Sequence, residues 1–231
     1  MTLTDCEVAG INSESREGWN DKYTSPENVT LTIKGGTYTR NIYSSGQLTI
    51  QDAVVNGTIR ISALRDYTGS KNYDEDNFKL VMDNVTVNYT EADIFGMYAY
   101  DTCIDVDDGW AEIKNCTITS NVASGIALDS CDALVENCTI SVDSEYAEVT
   151  PEYLLYYNYL VAGISAAGTS EDTMTIRGGT ITAAGDYSCG ISAAALKNQV
   201  LNVSGVKIDA PVGVFTSCRI DTSNYSAYFP Y

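Results

Sequence analysis

The chain of 231 residues contains no histidine. This absence excludes Ser-His-Asp and Cys-His nucleophilic catalysis, histidine-ligated zinc and an imidazole general base. Basic residues are also scarce, because 13 Lys and Arg stand against 31 Asp and Glu and give a formal charge of −18. Nucleic acids and anionic membrane surfaces are both bound through basic side chains. We therefore expect neither as a partner.

The sequence also lacks a long hydrophobic run. A membrane-spanning helix needs roughly 20 apolar residues, and the nearest run, YLLYYNYLVAGISAAG, is interrupted by Asn158. We therefore expect no membrane insertion. Neither a phosphate-binding Gly-Lys loop nor a metal-binding cysteine spacing occurs. Met1 leads directly into patterned sequence with no signal peptide, so we expect a piece of a longer, exported chain.

A nine-residue pattern recurs along the chain. AEIKNCTIT begins at residue 111 and ALVENCTIS at residue 133, and related segments begin at residues 1, 31, 48, 80, 174 and 201. Apolar first and third positions follow the two-residue period of a β-strand. The fifth residue is Gly, Asn or Asp, which adopt left-handed conformations at low cost, so a bend is predicted there. The eighth residues are expected to point inward: Val8, Tyr38, Val55, Val87, Ile118, Ile140, Ile181 and Ile208.

A third short strand follows most copies, as in GIALD at residue 125 and GISAA at residues 163 and 190. Three strands per repeat, with repeats of unequal length, indicate one coil of a solenoid with insertions at its corners. A sandwich or barrel would not repeat the same residue types at the same offsets. We predict an all-β single domain over 1–231, a parallel β-helix of about eight coils with insertions at 89–102 and 143–160.

The seven cysteines include three at one repeat position, the sixth, which is expected to face inward. These residues are Cys6, Cys116 and Cys138. Small buried thiols are the favoured interpretation. Neighbouring coils would bring Cys116 and Cys138 together, but parallel Cβ directions give poor disulfide geometry.

The repeat pattern resembles the right-handed parallel β-helix proteins of the pectate-lyase-like superfamily, over nearly the whole chain. In that superfamily the outer face of the third strand lines the substrate groove, and the polygalacturonase branch uses a histidine motif that is absent here. The resemblance to pectate lyases implies Ca²⁺ on stacked Asp residues and an Arg or Lys base. Asp105, Asp107, Asp129 and Arg60 are similar in kind, without a residue-by-residue motif match.

Carboxylates are concentrated on the predicted third strands. Alternation points Asp105 and Asp107 outward, and stacking places Asp129 one rung, about 5 Å, from Asp107 and Arg60 one rung from Asp105. Clustered carboxylates repel unless a cation neutralises them, and hard oxygen ligands suit Ca²⁺. A calcium site at Asp105, Asp107 and Asp129 is therefore one interpretation. A solvated acidic face without any cofactor is the other.

The two predicted insertions are rich in tyrosine and would stand on either side of these carboxylates. Tyrosine rings offer flat apolar faces with a polar tip, which suit sugar rings. Packing of the tyrosines onto the solenoid is the alternative. The candidate glycan-binding residues are Tyr98, Tyr100, Tyr153, Tyr156 and Tyr157.

The favoured function is that of a non-catalytic, extracellular or cell-surface bacterial module of the adhesin or repeat-protein type. It would bind a glycan or a host surface protein as a monomer. The second hypothesis is an enzyme, either a calcium-dependent polysaccharide lyase with Arg60 as base, or a glycoside hydrolase with Asp107 and Asp129 as acid and nucleophile. A third is a phage tail-spike segment, which would be a trimer.

Overall fold

The computed structural model describes residues 1–13, 29–62, 78–90, 102–144, 161–168, 171–194 and 200–217. The two predicted insertions lie largely outside these ranges. All regular structure within them is β, and they contain no helix that is long and apolar enough to cross a membrane. The strands are β1 (Thr2–Thr4), β2 (Glu7–Val8), β3 (Ile11–Ser13), β4 (Thr30–Lys34), β5 (Thr37–Tyr38), β6 (Ile42–Ser44), β7 (Gln47–Gln51), β8 (Val54–Asn56), β9 (Ile59–Ser62), β10 (Lys79–Asp83), β11 (Thr86–Tyr89), β12 (Thr102–Lys114), β13 (Thr117–Ser120), β14 (Ser124–Glu136), β15 (Thr139–Asp143), β16 (Val161–Ala167), β17 (Thr173–Arg177), β18 (Thr180–Ala184), β19 (Ser188–Ala194), β20 (Val200–Ser204), β21 (Lys207–Asp209) and β22 (Val212–Ser217).

The described strands form two parallel sheets. Sheet B holds the second strand of each repeat, in the order β2, β5, β8, β11, β13, β15, β18 and β21, which is also their order in the chain. Sheet A holds 14 strands and combines the first and third strands of the repeats. Parallel neighbours in chain order, with a crossover between each pair, describe a β-solenoid.

The pairing register confirms the predicted repeat. Leu31 pairs with Leu48, Leu48 with Leu80, Leu80 with Ala111, and Ala111 with Ala133. These residues are the first positions of five consecutive copies, although the copies differ in length. Residues far apart in sequence are therefore vertical neighbours.

The predicted bend is present in every copy. Each fifth residue has a positive φ, and a glycine, asparagine or aspartate occupies it because other side chains are strained there. The φ values are 49° at Asp5, 67° at Gly35, 53° at Asp52, 54° at Asn84, 52° at Asn115, 54° at Asn137, 65° at Gly178 and 65° at Gly205.

The eighth residue of each copy faces the core, as predicted. From Tyr38 to Ile181 these side chains are at most 2% exposed, whereas Val8 and Ile208 in the first and last described rungs are only half-buried. Each inward column is thus covered from above and below by its neighbours in the stack. The first and last described rungs have a described neighbour on one side only.

Two strands are longer than the sequence pattern predicts. β12 and β14 each run for 13 residues, so the third strand of one repeat continues without a break into the first strand of the next. Asp108 and Ser130 turn the corner inside these strands with φ values of 66° and 52°. The first and third strands therefore belong to one sheet rather than to two.

The cysteine prediction is confirmed for two of its three residues. Cys116 and Cys138 are 1% and 4% exposed and both are free thiols, whereas Cys6 is half-buried. A hydrogen bond between the two thiols raises the pKa of Cys116 and lowers that of Cys138. Two further thiols, Cys103 and Cys189, are fully buried, and burial raises the pKa of each to about 12.

These raised pKa values predict slow thiol alkylation in the folded chain. Near pH 9 an ordinary thiol, with a pKa of about 8.5, is largely thiolate, while Cys103 and Cys189 stay protonated and inaccessible. Iodoacetamide at that pH should leave both unmodified in the native protein and modify both in guanidinium chloride, as read by peptide mass spectrometry. Rapid modification of Cys103 in the native protein would contradict its burial.

Candidate functional site

The predicted carboxylates share one face of sheet A. Asp105 pairs with Arg60 on β9, and Asp107 pairs with Asp129 on β14. Val106 between them is buried, so the side chains of Asp105 and Asp107 point away from the core. We call the surface formed by Arg60, Asp105, Asp107 and Asp129 the acidic face. The predicted placement of all four residues is confirmed, and their roles stay predictions.

Arg60 and Asp105 form an ion pair across adjacent rungs. Arg60 Nε lies 3.2 Å from Asp105 Oδ2, with the two side chains 53% and 30% exposed. A pair this exposed contributes little to stability, at most about 1 kcal/mol. Its effect is mainly geometric, because it holds a guanidinium beside the carboxylates and supplies hydrogen-bond donors to a surface otherwise made of acceptors.

Asp107 and Asp129 form the most acidic part of the acidic face. Adjacent parallel strands lie about 4.8 Å apart, so these two carboxylates are vertical neighbours. Asp129 is exposed, and Ser130 Oγ donates a hydrogen bond of 2.9 Å to its Oδ1. Asp107 is half-buried. The pair offers several carboxylate lone pairs to a ligand that approaches from solvent.

More acidic residues surround the corner next to the acidic face. Asp108 is 0% exposed, and it precedes Gly109, whose φ is 90°. The Cys131 thiol one rung away is also fully buried, and its pKa is raised well above the usual value. Burial is the largest cause, followed by the charges of Asp172, Asp129, Asp132 and Asp108.

Sequence reasoning missed three parts of this corner: Cys131, Asp132 and Asp172. These residues are close because β14 continues around the corner without a break and because Asp172, 40 residues after Asp132 in the chain, lies one rung from it. Asp132 Oδ1 accepts a hydrogen bond of 2.7 Å from the backbone N–H of Thr173, which fixes that return. The sequence repeat could have indicated part of this corner, because Trp110 and Asp132 both directly precede the first residue of a copy and pair in the register.

An aromatic residue also stands at this corner. The Lys79 ammonium lies 4.2 Å from the centre of the Trp110 ring, within cation–π distance. Lys79, Trp110 and Asp132 follow one another in a single column of the register. The half-buried indole therefore separates a cation from the acidic corner.

The same outward row becomes less accessible beyond the acidic face. Asp105 continues through Ala127 and Ser165 to Ser192, which is only 4% exposed. On the acidic face itself Arg60 and Asp129 are exposed, while Asp105 and Asp107 are half-buried. On the other side of Arg60 the row continues to the half-buried Tyr43 and the exposed Asn12.

The tyrosines predicted to flank the acidic face, Tyr98, Tyr100, Tyr153, Tyr156 and Tyr157, lie outside the described residues. The described residues form an open cavity of about 430 Å³ between the ends of β15 and β18, away from the acidic face. Tyr187 there is 38% exposed. The lining residues are Asp143, Ser144, Gly185, Asp186 and Tyr187.

Among the described residues, no group of three or more His, Cys, Asp or Glu side chains is arranged so that it could hold a metal ion. Asp105 is turned toward Arg60. The residues as placed therefore do not fit a formed calcium site. Calcium binding at Asp105, Asp107 and Asp129 remains a prediction.

Comparison with known proteins adds no family to these observations. No protein-family model, no curated protein sequence and no solved structure matches the chain. The function is therefore inferred from the residues of this chain, from the parallel solenoid that positions them and from the chemistry of the acidic face.

Proposed function

We propose that the chain is a non-catalytic, extracellular bacterial β-helix module, of the surface-adhesin or repeat-protein type, that binds a glycan or a host surface protein. The proposed architecture is one right-handed parallel β-helix domain of about eight coils over 1–231, of the pectate-lyase-like kind, within a longer exported chain. The parallel stacking of both sheets supports this architecture. The acidic face is the proposed contact surface.

The pairing of Asp107 with Asp129, beside the ion pair of Arg60 and Asp105, is the observation that carries the proposal. Neighbouring carboxylates accept hydrogen bonds from hydroxyl groups, and the guanidinium donates them. A chain with a charge of −18 repels polyanions. A neutral glycan, rich in hydroxyl groups, therefore fits the acidic face better than an anionic one.

The tyrosine-rich segments at 89–102 and 143–160 support the glycan partner through the sequence alone. Their rings would add stacking surfaces on either side of the acidic face and complete a groove. Replacing Tyr156 and Tyr157 by alanine tests this part separately. Unchanged glycan binding would remove the tyrosines from the proposal and leave the acidic face in it.

Glycan-array binding with single substitutions tests the acidic face. Asp107→Asn and Asp129→Asn keep the side-chain size but remove the charged acceptor, and hydrogen bonds to charged groups contribute about 1.5–3 kcal/mol each. We expect each variant to bind neutral glycans roughly ten- to hundred-fold more weakly. Asp209→Asn on sheet B makes the same charge change and should leave affinity unchanged. Equal binding by all four proteins would remove the acidic face as the contact surface.

A glycoside hydrolase is the second candidate, favoured by the spacing of Asp107 and Asp129. Their rung separation of about 4.8 Å is close to the 5–5.5 Å between carboxyl groups in retaining glycosidases. Asp107 would be the acid and Asp129 the nucleophile. A lyase with Arg60 as base would instead need calcium. Sugar release from pectate, alginate or neutral plant glycans that is lost in Asp107→Asn would establish catalysis, and its loss with EDTA would select the lyase.

A further inference from the structure

The outward row of the acidic face carries an aromatic side chain one rung from Arg60. Tyr43 on β6 pairs with Arg60 on β9, and its neighbour on the other side is Asn12 on β3. Ile42 and Ser44, which flank Tyr43 in the strand, are both 0% exposed. Alternation along the strand therefore points the half-buried Tyr43 side chain away from the core, on the same side of sheet A as Arg60.

Tyr43 belongs to a rung with described neighbours on both sides, because β6 pairs with both β3 and β9. These two ladders fix the position of its backbone. Parallel strands lie about 4.8 Å apart, so the rung of Tyr43 is about 14 Å along the solenoid axis from the rung of Asp129. The phenol ring, the Arg60 guanidinium and the carboxylates of β12 and β14 thus occupy four successive rungs.

The row offers no comparable side chain close to the acidic face in the opposite direction. Ala127 and Ser165 are small, and Ser192 is only 4% exposed. The next aromatic residue in the row is Phe215, which pairs with Ser192 and is separated from the acidic face by that buried rung. A ligand bound at Asp129 therefore reaches an aromatic ring sooner toward Tyr43 than toward Phe215.

The order of these groups suits successive units of a linear sugar chain. A sugar ring has a C–H face that packs on a flat aromatic ring and a rim of hydroxyl groups, and tyrosine offers such a ring with a polar tip. The Arg60 guanidinium donates hydrogen bonds, and the carboxylates of Asp107 and Asp129 accept them. Tyrosine also has few rotatable bonds, so its ordering by a ligand costs little conformational entropy.

We propose that Tyr43 is a sugar-stacking residue and that the glycan lies along the solenoid axis. One end of the sugar chain contacts Asp107 and Asp129, the next part crosses Arg60, and a further sugar ring packs on Tyr43. The ligand class is a linear, neutral oligosaccharide long enough to cover these four rungs. This inference rests on the proposed function, because it takes the acidic face as the glycan contact.

Ligand length tests the inference in the intact chain. The probes are cello-, manno- and xylo-oligosaccharides of two to six units, measured by isothermal titration calorimetry. A disaccharide is shorter than the span of about 14 Å from the rung of Asp129 to that of Tyr43, and a hexasaccharide is longer. We expect Tyr43→Ala to weaken hexasaccharide binding about tenfold, through the lost stacking, and to leave disaccharide binding unchanged.

Three further variants separate stacking from folding. Tyr43→Phe keeps the ring and should stay within about twofold of wild-type affinity for the hexasaccharide. Tyr43→Leu keeps apolar bulk without the flat ring, so it should reproduce the alanine result even if Tyr43→Ala does not fold. Tyr187→Ala is the matched control, because Tyr187 is a described tyrosine, 38% exposed, away from the acidic face. It should leave the affinity for every probe unchanged.

The outcomes distinguish this inference from the proposed function. Hexasaccharide binding that is weakened by Asp107→Asn but not by Tyr43→Ala or Tyr43→Leu would overturn the inference and leave the acidic face as the contact surface. Equal weakening of disaccharide and hexasaccharide binding would overturn it too, since a purely structural role does not depend on ligand length. A loss in Phe215→Ala instead of Tyr43→Ala would reject the direction. A wild-type chain that binds none of the probes would contradict both proposals.

Discussion

Replacement of Ile118 by alanine is expected to lower the free energy of unfolding by about 2–5 kcal/mol. Ile118 is 0% exposed on β13 and lies in one inward column between Val87 and Ile140. Removing three carbons leaves a cavity that neighbours in a regular stack cannot fill, because their backbones are held by ladders on both sides. Guanidinium unfolding followed by far-UV circular dichroism measures the change.

The adjacent residue provides the matched control. Thr119 is exposed on the same strand, and Thr119→Ala should change the free energy of unfolding by no more than about 0.5 kcal/mol. The two positions are adjacent on one strand, and the side chain points inward at Ile118 and outward at Thr119. Equal effects from Ile118→Ala and Thr119→Ala would contradict the orientation of sheet B, and with it the vertical stacking that forms the acidic face.

The stacked part of the fold could be predicted because each repeat position has one physical task. The fifth residue must tolerate a positive φ, so only Gly, Asn or Asp occurs from Asp5 to Gly205. The eighth must be apolar, because both neighbours in its column bury it. Once these two constraints align the copies, the register follows. Asp107 and Asp129 each lie four residues before the first position of a copy, so the alignment of the copies predicts that they pair.

The corners were less predictable because no repeated residue type marks them. Nothing in the pattern distinguishes β12, which turns its corner within one strand, from β16, which ends at Ala167. The acidic corner around Cys131 therefore escaped sequence reasoning. The ion pair of Arg60 with Asp105 was also out of reach, since register gives the rung of a side chain but not its rotamer.

The third strand shows both what the sequence predicts and what it leaves unexplained. Its Gly-Ile signature predicts the start of a strand, and the pairing register places Gly125, Gly163, Gly190 and Gly213 in one column. The sequence did not show why glycine stands there. The structure does: a Cβ on Gly125 would lie 2.5 Å from Gly163 O and 2.8 Å from Ile140 Cγ2. Close approach of one rung to the next, together with the isoleucine of sheet B, leaves no room for a side chain.

Gly163→Ala is accordingly expected to destabilise the chain by about 1–3 kcal/mol, as is typical of overpacking. Its Cβ would lie 2.3 Å from Ile181 Cγ2 and 2.7 Å from Gly190 O, and one of these atoms is backbone in a paired strand that cannot retreat. Thermal unfolding in dilute solution, followed by circular dichroism, measures the effect.

Gly213→Ala is the matched control for Gly163→Ala, because it adds the same methyl group to the same column where no atom lies within 4 Å. Both substitutions reduce the conformational freedom of the unfolded chain by a similar amount, so the difference between them reports the contact alone. We expect Gly213→Ala to leave the melting temperature unchanged or slightly raised. Equal destabilisation by the two variants would show that backbone conformation, rather than the close approach of successive rungs, selects glycine in this column.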